Sequence, residues 1–171
     1  MPRWHSLAPS DDTFLSTARF RFRHTVDLRA DTEQVWRVLT ADNAPATWAR
    51  GITGAVWTSP RPFGVGTTRT VTVAHGAAAL RERFYRWDEG VRMSFSAEAA
   101  NRPGLHRFAE DITLCPHSDG TRLVWTFALE PRRMLMPLLA PIRPVLLWVT
   151  GEWTREVGKH APARGPGRPR R

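Results

Sequence analysis

The sequence predicts one α+β domain, an antiparallel sheet closed by a long C-terminal helix. Three observations lead there. Residues 18–28, ARFRFRHTVDL, alternate apolar and polar side chains with a period of two, the pattern of a strand with one wet face. Six further β-branched or aromatic segments lie between residues 53 and 130, divided by Gly, Pro and Asp-Gly turn signals. After residue 132 the chain becomes leucine-rich and loses that alternation.

Residues 1–16 are polar, carry Pro and a paired Asp11-Asp12, and read as a loose arm before a domain spanning 17–160. In the first strand Phe20, Phe22, His24, Val26 and Leu28 share the apolar side. Asp31 then offers an N-cap with Gln34 three residues on, a capping box ahead of the stripe Val35, Trp36, Val38 and Leu39. A second short helix is expected from Asp42 to Trp48, with Pro45 in its first turn. Strands are expected near 53–58, 66–74, 79–88, 91–98, 105–114 and 121–130, an antiparallel meander. Gly64-Val65-Gly66 is not a phosphate loop. The β-branched run Thr67–Val73 follows it where such a loop requires a helix, and no third glycine stands at the needed spacing. Residues 132–160 are expected to form the final helix after an irregular start broken by Pro137, Pro141 and Pro144. Its apolar run from Met134 to Val149 contains Arg143 and is shorter than the ~20 residues a membrane span needs. No transmembrane segment is expected. Residues 161–171 are expected to be a disordered basic tail.

A chain of 171 residues suits one domain with room for a sizeable core. The single cysteine, Cys115, excludes an internal disulfide and speaks against a cysteine-based zinc site. The six histidines show no ligand spacing, so neither a metal nor another cofactor is expected. The N-terminus lacks the apolar run of a signal peptide, which makes cytoplasm the expected compartment. Of the net charge of +9, +5 lies from Arg155 onward, so the body of the chain does not require a nucleic-acid partner. In the tail, Arg168, Arg170 and Arg171 around Gly-Arg-Pro resemble an incomplete AT-hook, and a solvated basic tail explains them equally well.

The order of elements, strand, two short helices, six strands, long helix, resembles the helix-grip fold of the START-like superfamily. Five stretches carry the resemblance in order: VDLRADTEQVWRVLTADNAPATWARGI, FGVGTTRTV, LRERFYRWDEGVRMSF, FAEDITLCPHSDGTRLVWTFALEP and the leucine-rich last helix. Together they are similar to the polyketide cyclase/dehydrase and lipid-transport branch, the SRPBCC proteins. The resemblance implies a curved sheet of about seven strands around the C-terminal helix, enclosing an apolar cavity. It also assigns Gly64 and Gly66 to the turn into the third strand.

In such an architecture strand parity selects what faces the cavity. Glu82 and Phe84, Phe95, the set His106, Phe108 and Glu110, and Trp125 are expected inside. Trp48, Trp57, Met134 and Met136 are expected near the mouth or on the helix. Carboxylates on an apolar face are costly unless paired. Glu82 and Glu110 are therefore candidates for an acid and base, with His106, or else His24, as a proton shuttle. The alternative is ion pairing with Arg81, Arg83 or Arg107. Three functions follow: a binder or carrier of a small lipid- or polyketide-like molecule, a cyclase, aromatase or dehydratase, and a nucleic-acid or partner-binding protein acting through its tail. The oligomeric state and the identity of the ligand are not encoded in these patterns.

Overall fold

A computed structural model describes residues 3–139 and 141–162. Its elements are β1 (His5–Ser6), α1 (Asp12–Thr17), β2 (Phe20–Leu28), α2 (Thr32–Leu39), β3 (Ile52–Trp57), β4 (Thr68–Val73), β5 (Ala78–Asp88), β6 (Arg92–Ala100), β7 (Leu105–His117), β8 (Gly120–Pro131), α3 (Met136–Leu139) and α4 (Arg143–His160). The seven long strands form one antiparallel sheet in the order β2-β8-β7-β6-β5-β4-β3, with β1 added beside β6. The sheet curls around α4, the helix-grip arrangement. Consecutive strands from β3 to β8 are neighbours, so tight turns set nearly every register.

The first strand forms for the reason its pattern gives. Phe20, Phe22 and Leu28 are buried while Arg19, Arg21 and Arg23 face water. At α2 the capping box closes as expected, with Gln34 Oε1 accepting the Asp31 N–H at 3.0 Å. The second helix expected at Asp42–Trp48 is instead a run of turns. Pro45 has no N–H to give, and the segment is held by isolated bonds such as Trp48 N–H to Pro45 O at 3.1 Å. Gly66 makes the turn into β4 at φ +92°, and Gly64 N–H donates to Thr67 Oγ1 at 2.9 Å, a purely structural role.

The N-terminal segment expected to be loose is tied down in two places. His5 and Ser6 pair with Ala100 and Ala99, where β7 has left the end of β6 unpartnered. Helix α1 then lies on the outer face of the sheet, burying Phe14 and Leu15 against Ala109 and Ala128. Small residues at 109 and 128 make room for that cover. The arm's polar sequence hid this because only two large side chains do the packing.

Helix α4 buries Thr150, Gly151, Thr154 and Val157 against the sheet. His24 fixes its height: Thr150 Oγ1 donates to Leu146 O, so it accepts from His24 Nε2–H, at 2.8 Å. The final helix starts irregularly as expected, through a 3₁₀ turn at Arg133–Leu135 and the short α3. Of the expected tail, Ala161 packs against the core and residues 163–171, with Arg168, Arg170 and Arg171, lie outside the described residues. Among the described residues no helix is long and apolar enough to cross a membrane.

Gly120 has φ +147°, and a Cβ there would stand 2.2 Å from Leu28 O and 2.9 Å from Ala30 N. Gly120→Ala is expected to cost about 3 kcal/mol, through backbone strain and a clash that no rotamer relieves. Chemical denaturation measures this, and an unchanged midpoint would contradict the described β7–β8 turn.

Candidate functional site

The inward faces of β4 to β8, the turns before β3 and helix α4 surround one mostly apolar cavity. Its aromatic wall is Trp48, Phe95, Phe108, Trp125 and Trp153, and Leu39, Ile52, Val71 and Leu80 fill the gaps between rings. The free space between the lining atoms is about 580 Å³, with the open solvent at the mouth included.

Three charged side chains interrupt this apolar wall. Arg69 on β4 and Glu82 on β5 stand directly opposite each other in the ladder. Both are buried, and Arg69 Nε and Nη2 donate to Glu82 Oε2 at 2.9 and 2.7 Å. The guanidinium is further surrounded by rings, with its carbon 5.0, 5.1 and 5.3 Å from the centroids of Phe95, Trp57 and Phe84. Glu110 on β7 is 6% exposed and accepts the Trp125 Nε1–H at 2.8 Å.

The charges do not balance. Burial pushes both carboxyls upward, and Arg69 opposes this at Glu82, its bonded partner. Glu110 has no such partner. Desolvation first, and then the Glu82 charge, push it up to about 8. At neutral pH Glu110 therefore holds a proton, and the cavity contains one ion pair and one neutral carboxylic acid.

Trp48 supplies the other polar feature. Trp125, Trp153 and Trp57 direct their Nε1–H groups to Glu110 Oε2, Arg50 O and Ala41 O at 2.8, 2.9 and 3.0 Å. Trp48 Nε1 is buried and has no acceptor. The ring packs edge-on to Trp125, with centroids 5.8 Å apart. A buried donor left unpaired costs about 1–3 kcal/mol.

Of the residues expected at the site, Trp48, Glu82, Phe95, Phe108, Glu110 and Trp125 meet at the cavity. Trp57 and Phe84 instead stand behind Arg69 and pack with each other at 5.4 Å. His106 is exposed, because a register shift between Leu105 and Arg107 breaks the alternation that would have turned it inward. Met134 is 90% exposed, and Met136 packs on the edge of the core. His24 bonds to α4 as described above, and burial holds its imidazole below the ordinary histidine range. The expected pairing of the glutamates with Arg81, Arg83 or Arg107 is replaced by Arg69. Arg83 pairs with Glu98, while Arg81 and Arg107 lie over the rings of Trp4 and Phe14, on the outer side. Parity along β4 marks Arg69, since Val71 two residues on faces the core. Arg69 and Trp153 were absent from the expected set.

A family model described as polyketide cyclase/dehydrase and lipid transport matches residues 19–162. An uncharacterised protein of Mycobacterium tuberculosis is 36% identical over 152 residues, which cover 89% of this chain and 90% of that one. A START superfamily protein of Mycobacterium smegmatis superposes with a TM-score of 0.62 at 15% identity, covering 82% of this chain and 92% of its own. The Zhui aromatase/cyclase of a Streptomyces species does so with a TM-score of 0.60 at 15% identity and the same two coverages. These structural likenesses speak for the fold.

Two outcomes test the charge arrangement. Arg69→Met leaves Glu82 buried without a partner and is expected to cost about 3–5 kcal/mol, while adding Glu82→Gln restores most of the loss. Thermal melts of the single and double variants check this, and additive losses would contradict it. The second concerns pH. Unfolded Glu110 ionises in the ordinary carboxyl range, whereas the folded group holds its proton to about 8. Stability from this group is therefore complete in acid and declines by about 1.4 kcal/mol for each pH step of one between those two values. Above the folded value it levels off. Glu110→Gln should flatten the decline between pH 5 and pH 8, as read by denaturant midpoints at each pH.

Proposed function

Since the chain belongs to the polyketide cyclase/dehydrase and lipid-transport family, we propose that it binds a small, flat or slender apolar molecule with a hydrogen-bond-accepting oxygen at one end. The observation that carries this reading is the unpartnered Trp48 Nε1–H in an aromatic cavity that also holds the neutral acid Glu110. Both offer protons, and an apolar molecule with a carbonyl-type oxygen matches them. A cationic guest matches neither. The aromatic rings supply most of the contact area, and the two donors supply orientation.

Catalysis is the second reading, and one observation favours it. A carboxyl that titrates near 8 is suited to deliver a proton to a carbonyl oxygen at neutral pH. The complementary base is less evident, because Arg69 holds Glu82 and both His106 and His24 lie outside the cavity lining. Binding without turnover therefore ranks first. The nucleic-acid reading rests on Arg168, Arg170 and Arg171 and forms no part of the proposal.

Native mass spectrometry of the purified full chain, before and after denaturation, tests the binding. A retained molecule of low mass is expected, and Trp48→Phe should lower its occupancy about tenfold by removing one buried hydrogen bond while keeping the ring. A guest held equally well by the Trp48→Phe protein would contradict the assigned orientation. For the catalytic reading, Glu110→Gln would keep the guest and abolish its conversion.

A further inference from the structure

Five of the eight large apolar side chains exposed among the described residues fall in one short segment: Met134, Ile142, Val145, Leu147 and Trp148. The other three are isolated valines. Exposure reaches 58% at Val145, 49% at Leu147 and 54% at Trp148. These residues point in different directions around the helix, so the first two turns of α4 stand clear of the sheet on more than one side. The anchoring contacts of α4 lie further along, at Thr150, Gly151, Thr154 and Val157.

The chemistry around this projecting end identifies what covers it. Between Glu130 and Glu152 there is no acidic residue, and Arg132, Arg133 and Arg143 are all exposed. None of these three arginines has a side-chain ion pair among the described residues. A second copy of the chain on a two-fold axis would set these arginines against themselves, with no carboxylate to relieve them. The chain's own C-terminal residues 163–171 add four arginines and nothing apolar larger than proline or alanine, so they would not cover the patch either. Exposed Trp, Leu and Val beside unpaired arginines are the composition of a surface that lies in the interface of an anionic bilayer. We infer that the start of α4, with the turn that precedes it, docks on anionic phospholipid. The apolar side chains enter the acyl boundary, and the arginines engage the headgroup phosphates.

Vesicle flotation of the full chain tests this, using phosphatidylcholine alone and phosphatidylcholine mixed with phosphatidylglycerol. The chain is expected to float with the mixed vesicles and at least about tenfold more weakly with the neutral ones. Arg132→Gln, Arg133→Gln and Arg143→Gln should each weaken flotation by about fivefold. The Leu147→Ser, Trp148→Ser double variant should weaken it by more than about tenfold. Both positions are about half exposed and lie outside the cavity lining, so the variant should stay folded, which its far-UV circular dichroism at the flotation temperature checks. Equal flotation with neutral and mixed vesicles would overturn the inference. So would full binding by the double variant, which would assign the affinity to the basic tail. A dimer in sedimentation that becomes monomeric in the double variant would also overturn it, by showing a second copy on the patch.

Discussion

An unequal count of charges inside the sheet governs this structure: two buried carboxyls share one guanidinium. Arg69 and Glu82 satisfy each other across the β4–β5 ladder, at the cost of taking both out of water. The aromatic rings of Trp57, Phe84 and Phe95 offset part of that cost by presenting their faces to the cation. With Arg69 committed, Glu110 is left to become neutral, and the Trp125 indole turns its N–H toward it. Trp48, packed edge-on beside Trp125, finds no acceptor for its own Nε1–H. The polar character of the cavity thus follows from where the one arginine went.

The scaffold keeps that arrangement buried. Helix α4 lies close to the sheet because Gly151 leaves room for His24, where a Cβ would come within 3.2 Å of the imidazole. The His24–Thr150 bond and the Trp153 bond to Arg50 O fix its middle, the latter at the cavity wall. The same helix buries its later turns, while at its start Leu146 packs on the core and Val145, Leu147 and Trp148 are exposed. A cavity wall and an exposed apolar end are thereby joined in one element.

Much of this architecture was legible in the sequence where a local rule acts alone. Alternation marked β2, Asp31 and Gln34 marked the start of α2, and Asn-Arg-Pro-Gly and Ser-Asp-Gly marked the last two turns. Parity also selected Glu82, Phe95, Glu110 and Trp125, although β5 and β6 shift register between Arg81 and Glu82 and again between Phe84 and Arg86, because the ladders on their other sides stay regular at those residues. The errors arose where two rules compete. His106 obeys parity on paper, but the irregularity beside it turns it to solvent. Trp57 and Phe84 are inward-facing aromatics, and the buried cation claims them before a ligand can. Arg69 shares parity with the core residue Val71, but arginine is so rarely buried that residue type points outward where parity points inward. The N-terminal arm was hidden because its contribution, two backbone pairs and two large side chains, leaves almost no periodic signal.

The protonation state of Glu110 bears most directly on the whole account. Carbon-13 labelling of the glutamate side chains, with Glu110→Gln to assign the resonance, reads that state by NMR as pH is raised. The charge arrangement predicts a neutral carboxyl at pH 7 that titrates at about 8. A carboxylate already ionised at pH 5 would mean a fixed negative charge in the cavity. That result would contradict the proposed match to an oxygen-bearing apolar guest and point to a cationic one.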